Sequence, residues 1–349
     1  MYWTLTAVGS SLLLSVLPFM VDSANGNWRV AYWFWAAIMA LSLVLVVFFF
    51  PETLFYRHVE AFGDVFHATD AYGSLRIFAT VDEARAAGFE VATEDGRSEQ
   101  PPPSKASYAR QLVPFKLQPK PAFRFFSAYK DIFLCLLVPG TFWALAFNSI
   151  VFGGIVVLSL TYTERLEMQP WHFYSSTVGT VQLGSAVGAL CALLFGTTAE
   201  PISRYLTRRN GGVREPEHIL PNFLLPTAFA FAGLLLYGIV GNQPGEYSWV
   251  GIHVAFALFY CGFCGISALT GVWLGELLPH MSGPAIVLVC GGRNAVSFGY
   301  SNSFNRWLMA MGFRDTYILF GGILFALGLL ALPLYYTNGH IRKAMKSLH

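Results

Sequence analysis

The sequence predicts an all-α fold, a polytopic membrane helical bundle of about eight transmembrane helices. Three observations carry that expectation. First, the 349-residue chain is 55% hydrophobic and only 12% charged, with mean hydropathy +0.51, whereas soluble domains are about 25% charged. Second, the charge is gathered into residues 51–130, a basic insert at 196–221 and the C-terminal tail. Third, the stretches between are apolar runs of about 20 residues, the length at which a helix rising ~1.5 Å per residue crosses a ~30 Å hydrocarbon core. Helices are the default inside lipid because each backbone polar group must be paired there. The even alternation of a transmembrane β-barrel is absent.

Residues 1–21 form the first expected span. No Lys or Arg precedes Arg29, so the basic start of a secretory signal is lacking. After a polar turn at 22–29, residues 30–50 form a second span, dense in Trp and Phe, that stops at Pro51-Glu52-Thr53. Proline suits such a boundary and not a helix interior. Residues 54–130 are hydrophilic, contain Pro101-Pro102-Pro103 and hold 10 of the 22 basic residues. A segment this long is a linker or a functional loop, here expected to join two bundles and to have room for surface helices. Six further spans are expected at 132–160, 174–197, 219–240, 249–275, 284–305 and 316–337. Cys135, Cys191, Cys261, Cys264 and Cys290 all lie in apolar runs. The Cys261-x-x-Cys264 pair has no second pair or helix-terminal setting to activate it, so neither metal nor disulfide chemistry is expected.

Charge also orients the chain. The linker, Arg204, Arg208, Arg209 and Arg214 of the insert, and Arg342, Lys343 and Lys346 of the tail fall on one side. Arg29, Arg165, Arg306 and Arg314 fall on the other. Cytoplasmic loops are enriched in Lys and Arg. Linker, insert and C-terminus are therefore expected to be cytoplasmic, with Arg208, Arg209 and Arg214 as anchors for lipid headgroups.

The insert carries the most specific wording in the chain. Arg209-Asn210-Gly211-Gly212-Val213-Arg214-Glu215-Pro216-Glu217 resembles the loop between the eighth and ninth helices of fungal major facilitator superfamily (MFS) transporters. Gly196, Glu200 and Arg204 take the Gly, Asp and Arg positions of the motif that precedes it, with Ala199 in place of the family's serine. Other matches follow in order: Asn27-Trp28-Arg29, Pro51-Glu52-Thr53, Glu276 where the family often has Asp near the end of helix ten, Arg293-Asn294 in helix eleven, and the stretch from Asn305-Arg306-Trp307 to Asn338. The resemblance implies an MFS-type bundle whose spans correspond to helices five to twelve, with the first four lacking, as expected of an N-terminally truncated transporter. Residues 1–53 would be the last two helices of the N-terminal half, 54–130 the cytoplasmic central linker, 131–338 the six-helix C-terminal half and 339–349 a cytoplasmic tail. In that family substrate binds between the halves near the bilayer midplane.

The candidate functional residues follow from position and chemistry. The resemblance makes Gly196, Glu200 and Arg204 a cytoplasmic gate motif. Glu200 and Arg204 are four apart and share a helix face. The alternative is a solvated surface pair worth a few tenths of a kcal/mol. Arg293 lies roughly 14 Å along a helix from Pro284, near mid-membrane, where a charge is costly and faces a cavity or a partner. With Asn294, Asn148 and Gln182 it forms the set of substrate-cavity candidates; the competing role for Arg293 is a structurally paired or snorkelling cation. Proton coupling needs a titratable group on the path, and Glu276 and His253 are the candidates. Gly184-x-x-x-Gly188 suits close helix packing.

No nucleotide-binding loop, zinc-protease motif or serine-hydrolase elbow is present, so the chain is not expected to be an enzyme and no cofactor is expected. The expected function is a secondary active transporter of a small organic solute, proton-coupled and of the multidrug or polyamine-type branch. The competing readings are a transport-incompetent fragment of such a protein and a membrane receptor or interaction protein. The expected partners are the bilayer and a small organic solute, with no nucleic acid and a monomeric state. The expected location is the plasma membrane, with the vacuolar membrane as the alternative.

Overall fold

The computed structural model describes residues 2–49, 60–62, 65–69, 75–78, 83, 121–212, 214–279 and 281–337. The chain divides into two units, Met1–Ala31 with Arg124–His349, and Tyr32–Phe123.

The larger unit is helical throughout its described residues. It comprises α1 (Tyr2–Ser23), then α3 (Pro121–Leu136), α4 (Pro139–Glu167), α5 (Val181–Cys191), α6 (Leu193–Arg209), α7 (Leu224–Asn242), α8 (Val250–Leu277), α9 (Ser282–Met311) and α10 (Phe313–Leu329). Helix α5 and α6 run on from one another with a break at Ala192, giving one apolar stretch from Val178 to Arg209. A 3₁₀ segment, Pro216–Phe223, leads into α7. Proline at the first position of that segment fits because its missing N–H would have no partner there.

Helix α8 is the axis of this unit. It packs against α7 on one side and α5 on the other, while α9 lies on α4, α10 on α7, and α1 on α5. Its buried side chains run all round its circumference, from Ile252 and Phe256 to Trp273 and Leu277, as expected of a helix enclosed by others. The core is largely aromatic: Phe147, Phe223, Tyr237, Phe256, Phe259, Trp273, Phe304 and Tyr317 are fully buried. Two glycines set the α5–α8 approach. A Cβ at Gly184 would stand 2.5 Å from the carbonyl oxygen of His253, and one at Gly188 would collide with that of Ala257. The expected packing role of Gly184-x-x-x-Gly188 is the one the structure gives it.

The smaller unit holds most of α2 (Arg29–Phe49), whose apolar side chains are nearly all exposed, as suits a surface facing hydrocarbon. It also holds three short strands, β1 (Glu60–Phe62), β2 (Val65–Thr69) and β3 (Leu75–Phe78), paired antiparallel in that order. Phe62 is opposite Val65 and Thr69 opposite Leu75. These strands are not among the elements expected of the linker; most of the linker lies outside the described residues, and Glu83, which is described, is helical. Val65, Phe66, Thr69, Ile77 and Phe78 are β-branched or aromatic residues that fit a pleated surface better than a helix. The proline run at 101–103 and the tail at 339–349 lie outside the described residues.

Seven helical stretches among the described residues are long and apolar enough to cross a membrane. The eighth expected span is α9. At 30 residues it is long enough, but Arg293, Asn294, Asn302, Asn305 and Arg306 make it the most polar of the set. The span expected at 174–197 also proves longer: the helix continues to Arg209, so the first half of the basic insert is helical.

Candidate functional site

Polar side chains gather at three levels of the larger unit. At one end, where the insert leaves α6, Glu200 and Arg204 share a face of the helix, as their spacing predicts. Arg204 Nε donates to Glu200 Oε1 at 2.9 Å. The two side chains are 48% and 70% exposed, so the pair contributes little to stability. Gly196 has open space around it. The ion pair that crosses between elements is a different one. Arg214 Nη2 donates to Glu276 Oε1 at 2.6 Å, tying the insert to the last turn of α8. That hydrogen bond raises the Arg214 guanidinium above its ordinary value. The structure thus gives Arg214, expected as a lipid-headgroup anchor, an acidic partner as well. It also gives Glu276, a proton-coupling candidate, a basic partner.

Behind this end lies a buried polar knot that the sequence did not single out. Thr207 Oγ1 and the Nδ1 of buried His218 are 3.2 Å apart, and Asn222 Nδ2 donates to Ser203 Oγ at 3.3 Å. The same His218 ring nitrogen lies 3.4 Å from the backbone N–H of Glu215. The 3₁₀ segment is thereby fastened to α6. The wording Glu215-Pro216-Glu217-His218 was the available signal, since an acidic cap followed by proline marks a helical start.

The cavity candidates do not share one level, Gln182 lying at the start of α5. Asn148 is buried and donates through Nδ2 to Ala144 O at 3.0 Å and to Thr270 Oγ1 at 2.8 Å, which joins α4 to α8. Gln182 is also buried, and its Oε1 has no hydrogen-bond partner. Asn294 is exposed. Arg293, on α9, is only 8% exposed. Its guanidinium carbon lies 4.8 Å from the ring centre of Phe152 on α4 and 5.0 Å from that of Trp3 on α1. Its Nε is buried without a partner, and no described residue forms an ion pair with it. The four candidates therefore do not form one cluster of mutual hydrogen bonds.

Toward the other end, His253 sits beside an open cleft of about 540 Å³ lined by His172, Phe173, Tyr174, Thr177, Thr180, Leu183, Trp249 and His253. Its Nε2 is 3.3 Å from Thr180 Oγ1 and its Nδ1 is 3.4 Å from Trp249 O. A second unforeseen knot ties α4, α7 and α10. Thr161 Oγ1 is 2.8 Å from Tyr237 Oη and 2.7 Å from Tyr317 Oη, and Tyr317 Oη donates to Val157 O at 2.9 Å. In sequence these tyrosines count as apolar bulk, and only packing shows which hydroxyls meet. Among the described residues no group of His, Cys, Asp and Glu is arranged to hold a metal ion.

The family profile of the Major Facilitator Superfamily matches the chain over residues 2–298. The chain belongs to the major facilitator superfamily.

Individual relatives are more distant. Over 203 residues the chain is 27% identical to Protein HOL1 of Saccharomyces cerevisiae, covering 55% of this chain and 33% of that one. It is 28% identical to the MFS transporter cpaT of Aspergillus oryzae over 60% of this chain and 42% of that one. An MFS-type transporter of Schizosaccharomyces pombe aligns over 97% of this chain and 61% of its own length at 21% identity. The chain thus spans between about a third and three-fifths of the length of these relatives. No solved structure matches it. Family and apolar helices together make it an integral membrane protein of MFS type, resembling fungal members.

Proposed function

We propose that this MFS protein is a secondary active transporter that moves a small organic solute across a fungal membrane by alternating access, coupled to protons. The observation that carries the reading is Arg293: a guanidinium in the middle of a family span, shut off from solvent, with an unmet donor. Ionisable groups within a membrane are expensive and mark the paths of solutes and ions. Supporting it, α1 and α9 meet through Trp3 and Arg293, and in the family resemblance those helices belong to opposite halves. Relative movement of the halves is what alternating access requires.

His253 is the stronger proton-coupling candidate, because Glu276 is engaged by Arg214 whereas His253 lines an open cleft at a span end. The gate reading of Gly196, Glu200 and Arg204 extends to Arg214 and Glu276, whose contact closes the insert onto α8. The multidrug or polyamine-type assignment rests on the wording from Arg209 to Glu217, and the cytoplasmic placing of insert, linker and tail on their basic residues. The plasma membrane is the proposed site of action.

The test is reconstitution of the full chain in liposomes with an imposed pH gradient and a mixed library of small organic solutes, read by mass spectrometry. Gradient-dependent accumulation of at least one solute is expected. Arg293→Ala should abolish it while leaving insertion intact, and His253→Gln should remove its dependence on the gradient. Accumulation no different from protein-free liposomes would overturn the reading.

A further inference from the structure

Arg293 also carries information about the charge of the solute. A guanidinium has five N–H donors in one plane. Trp3 and Phe152 lie 5.0 and 4.8 Å from its carbon, within cation–π range, and such contacts use none of those donors as hydrogen bonds. No described residue accepts a hydrogen bond from Arg293, and its Nε is buried and unpaired. Acidic residues do not compensate. The two ion pairs among the described residues are Arg204 with Glu200 and Arg214 with Glu276. The face of α9 that holds Arg293 continues through Ala285, Val289, Ser297 and Phe304, all buried, and offers the cation no counter-charge.

A buried charge left without a counter-charge is costly, and an anion that supplied one would regain that cost on binding. A planar carboxylate fits best, since it accepts two parallel N–H bonds from the guanidinium edge. One of the two covering rings, Trp3, comes from α1, not from the helix pair that holds the Arg. Withdrawing it uncovers the site without breaking the α4–α9 packing.

We propose that Arg293 is the anion-recognition residue of the solute site, that the solute is an organic anion bearing a carboxylate on an apolar or aromatic body, and that Trp3 caps the site when it is empty. The proposal rests on the transporter reading above and narrows it. Of the multidrug and polyamine alternatives named there it excludes the polyamine one, because a cation would be repelled at this position.

The full chain, purified into lipid nanodiscs, is titrated with three probes sharing one ring and differing in charge: benzoate, benzamide and benzylamine. Binding is read by tryptophan fluorescence, with Trp3→Phe identifying the contribution of Trp3, and by equilibrium dialysis of the labelled probes. Benzoate is expected to bind in preference to the other two and to perturb the Trp3 signal. Arg293→Gln should weaken benzoate binding about tenfold or more, the equivalent of one charge-assisted hydrogen bond, and Arg293→Lys should recover part of it, which also shows that the site still folds. Benzamide or benzylamine binding as tightly as benzoate, or benzoate binding unchanged in Arg293→Gln, would overturn the anion assignment. Accumulation of neutral or cationic solutes in the liposome assay would then leave the transporter reading standing. No accumulation of any solute there would remove that reading and this one with it.

Discussion

Thr161 shows how much a single hydroxyl can hold inside an apolar bundle. It lies within hydrogen-bond distance of both Tyr237 and Tyr317, so α4, α7 and α10 meet at one oxygen. Replacing it by valine keeps the shape and removes one partner from each of two buried phenols, Tyr317 Oη keeping its bond to Val157 O. That costs about 1–3 kcal/mol and is expected as a lowered unfolding temperature in detergent, with Thr161→Ser close to the native value. Asn148 was legible as a polar residue in a span, but its partner was not. Thr270 lies 122 positions away, and nothing local announces which face of α8 turns toward α4.

At the scale of elements, two contacts set the architecture around the site. Gly188 allows the backbones of α5 and α8 to approach where any side chain would strike Ala257 O. Gly188→Val forces the helices apart and costs about 1–3 kcal/mol or more as overpacking. The expected readout is loss of the monodisperse peak in size-exclusion chromatography, with Gly196→Ala, where the surroundings are open, as a harmless control. The second contact joins the insert to α8 through Arg214 and Glu276. Both side chains are partly exposed, so the stability at stake is modest, about 0.2–1 kcal/mol for the pair. A double-mutant cycle on thermal stability should give a coupling of that size, and the swap Arg214→Glu with Glu276→Arg should restore what either single change loses. The Gly-x-x-x-Gly spacing was legible because helix periodicity is local. The Arg214–Glu276 pair was not, because several arginines in the insert compete for that carboxylate and only the path of the chain selects one.

For the whole molecule, the distribution of basic residues predicts a single orientation. A lone cysteine placed at Arg209 in a cysteine-free background is expected to react with an impermeant thiol reagent in inside-out vesicles and not in right-side-out ones. The reverse pattern would invert the assignment. The same scale explains the polarity of α9. Taken alone it is the least membrane-like of the long helices, yet its buried face lies against α4 and hides Arg293. A bundle can carry one polar helix because its neighbours, not the lipid, solvate it.

By itself the sequence determined the class of the protein, the rough bounds of seven of its eight expected spans, the position of Arg293 within a long helix and the family wording of the insert. These are properties of composition and of short periodicity, and the membrane enforces them because it allows no unpaired backbone. The linker strands show the limit of that reading: where no bilayer imposes helix, the β-branched and aromatic residues at 65–69 and 75–78 pair instead. Only the tertiary structure decided who meets whom: Glu276 with Arg214, Thr161 with two tyrosines, Arg293 with Trp3 and Phe152. Those meetings depend on how each helix is rotated and how closely glycine lets it approach its neighbour, quantities fixed by packing across the whole bundle and not by any one segment.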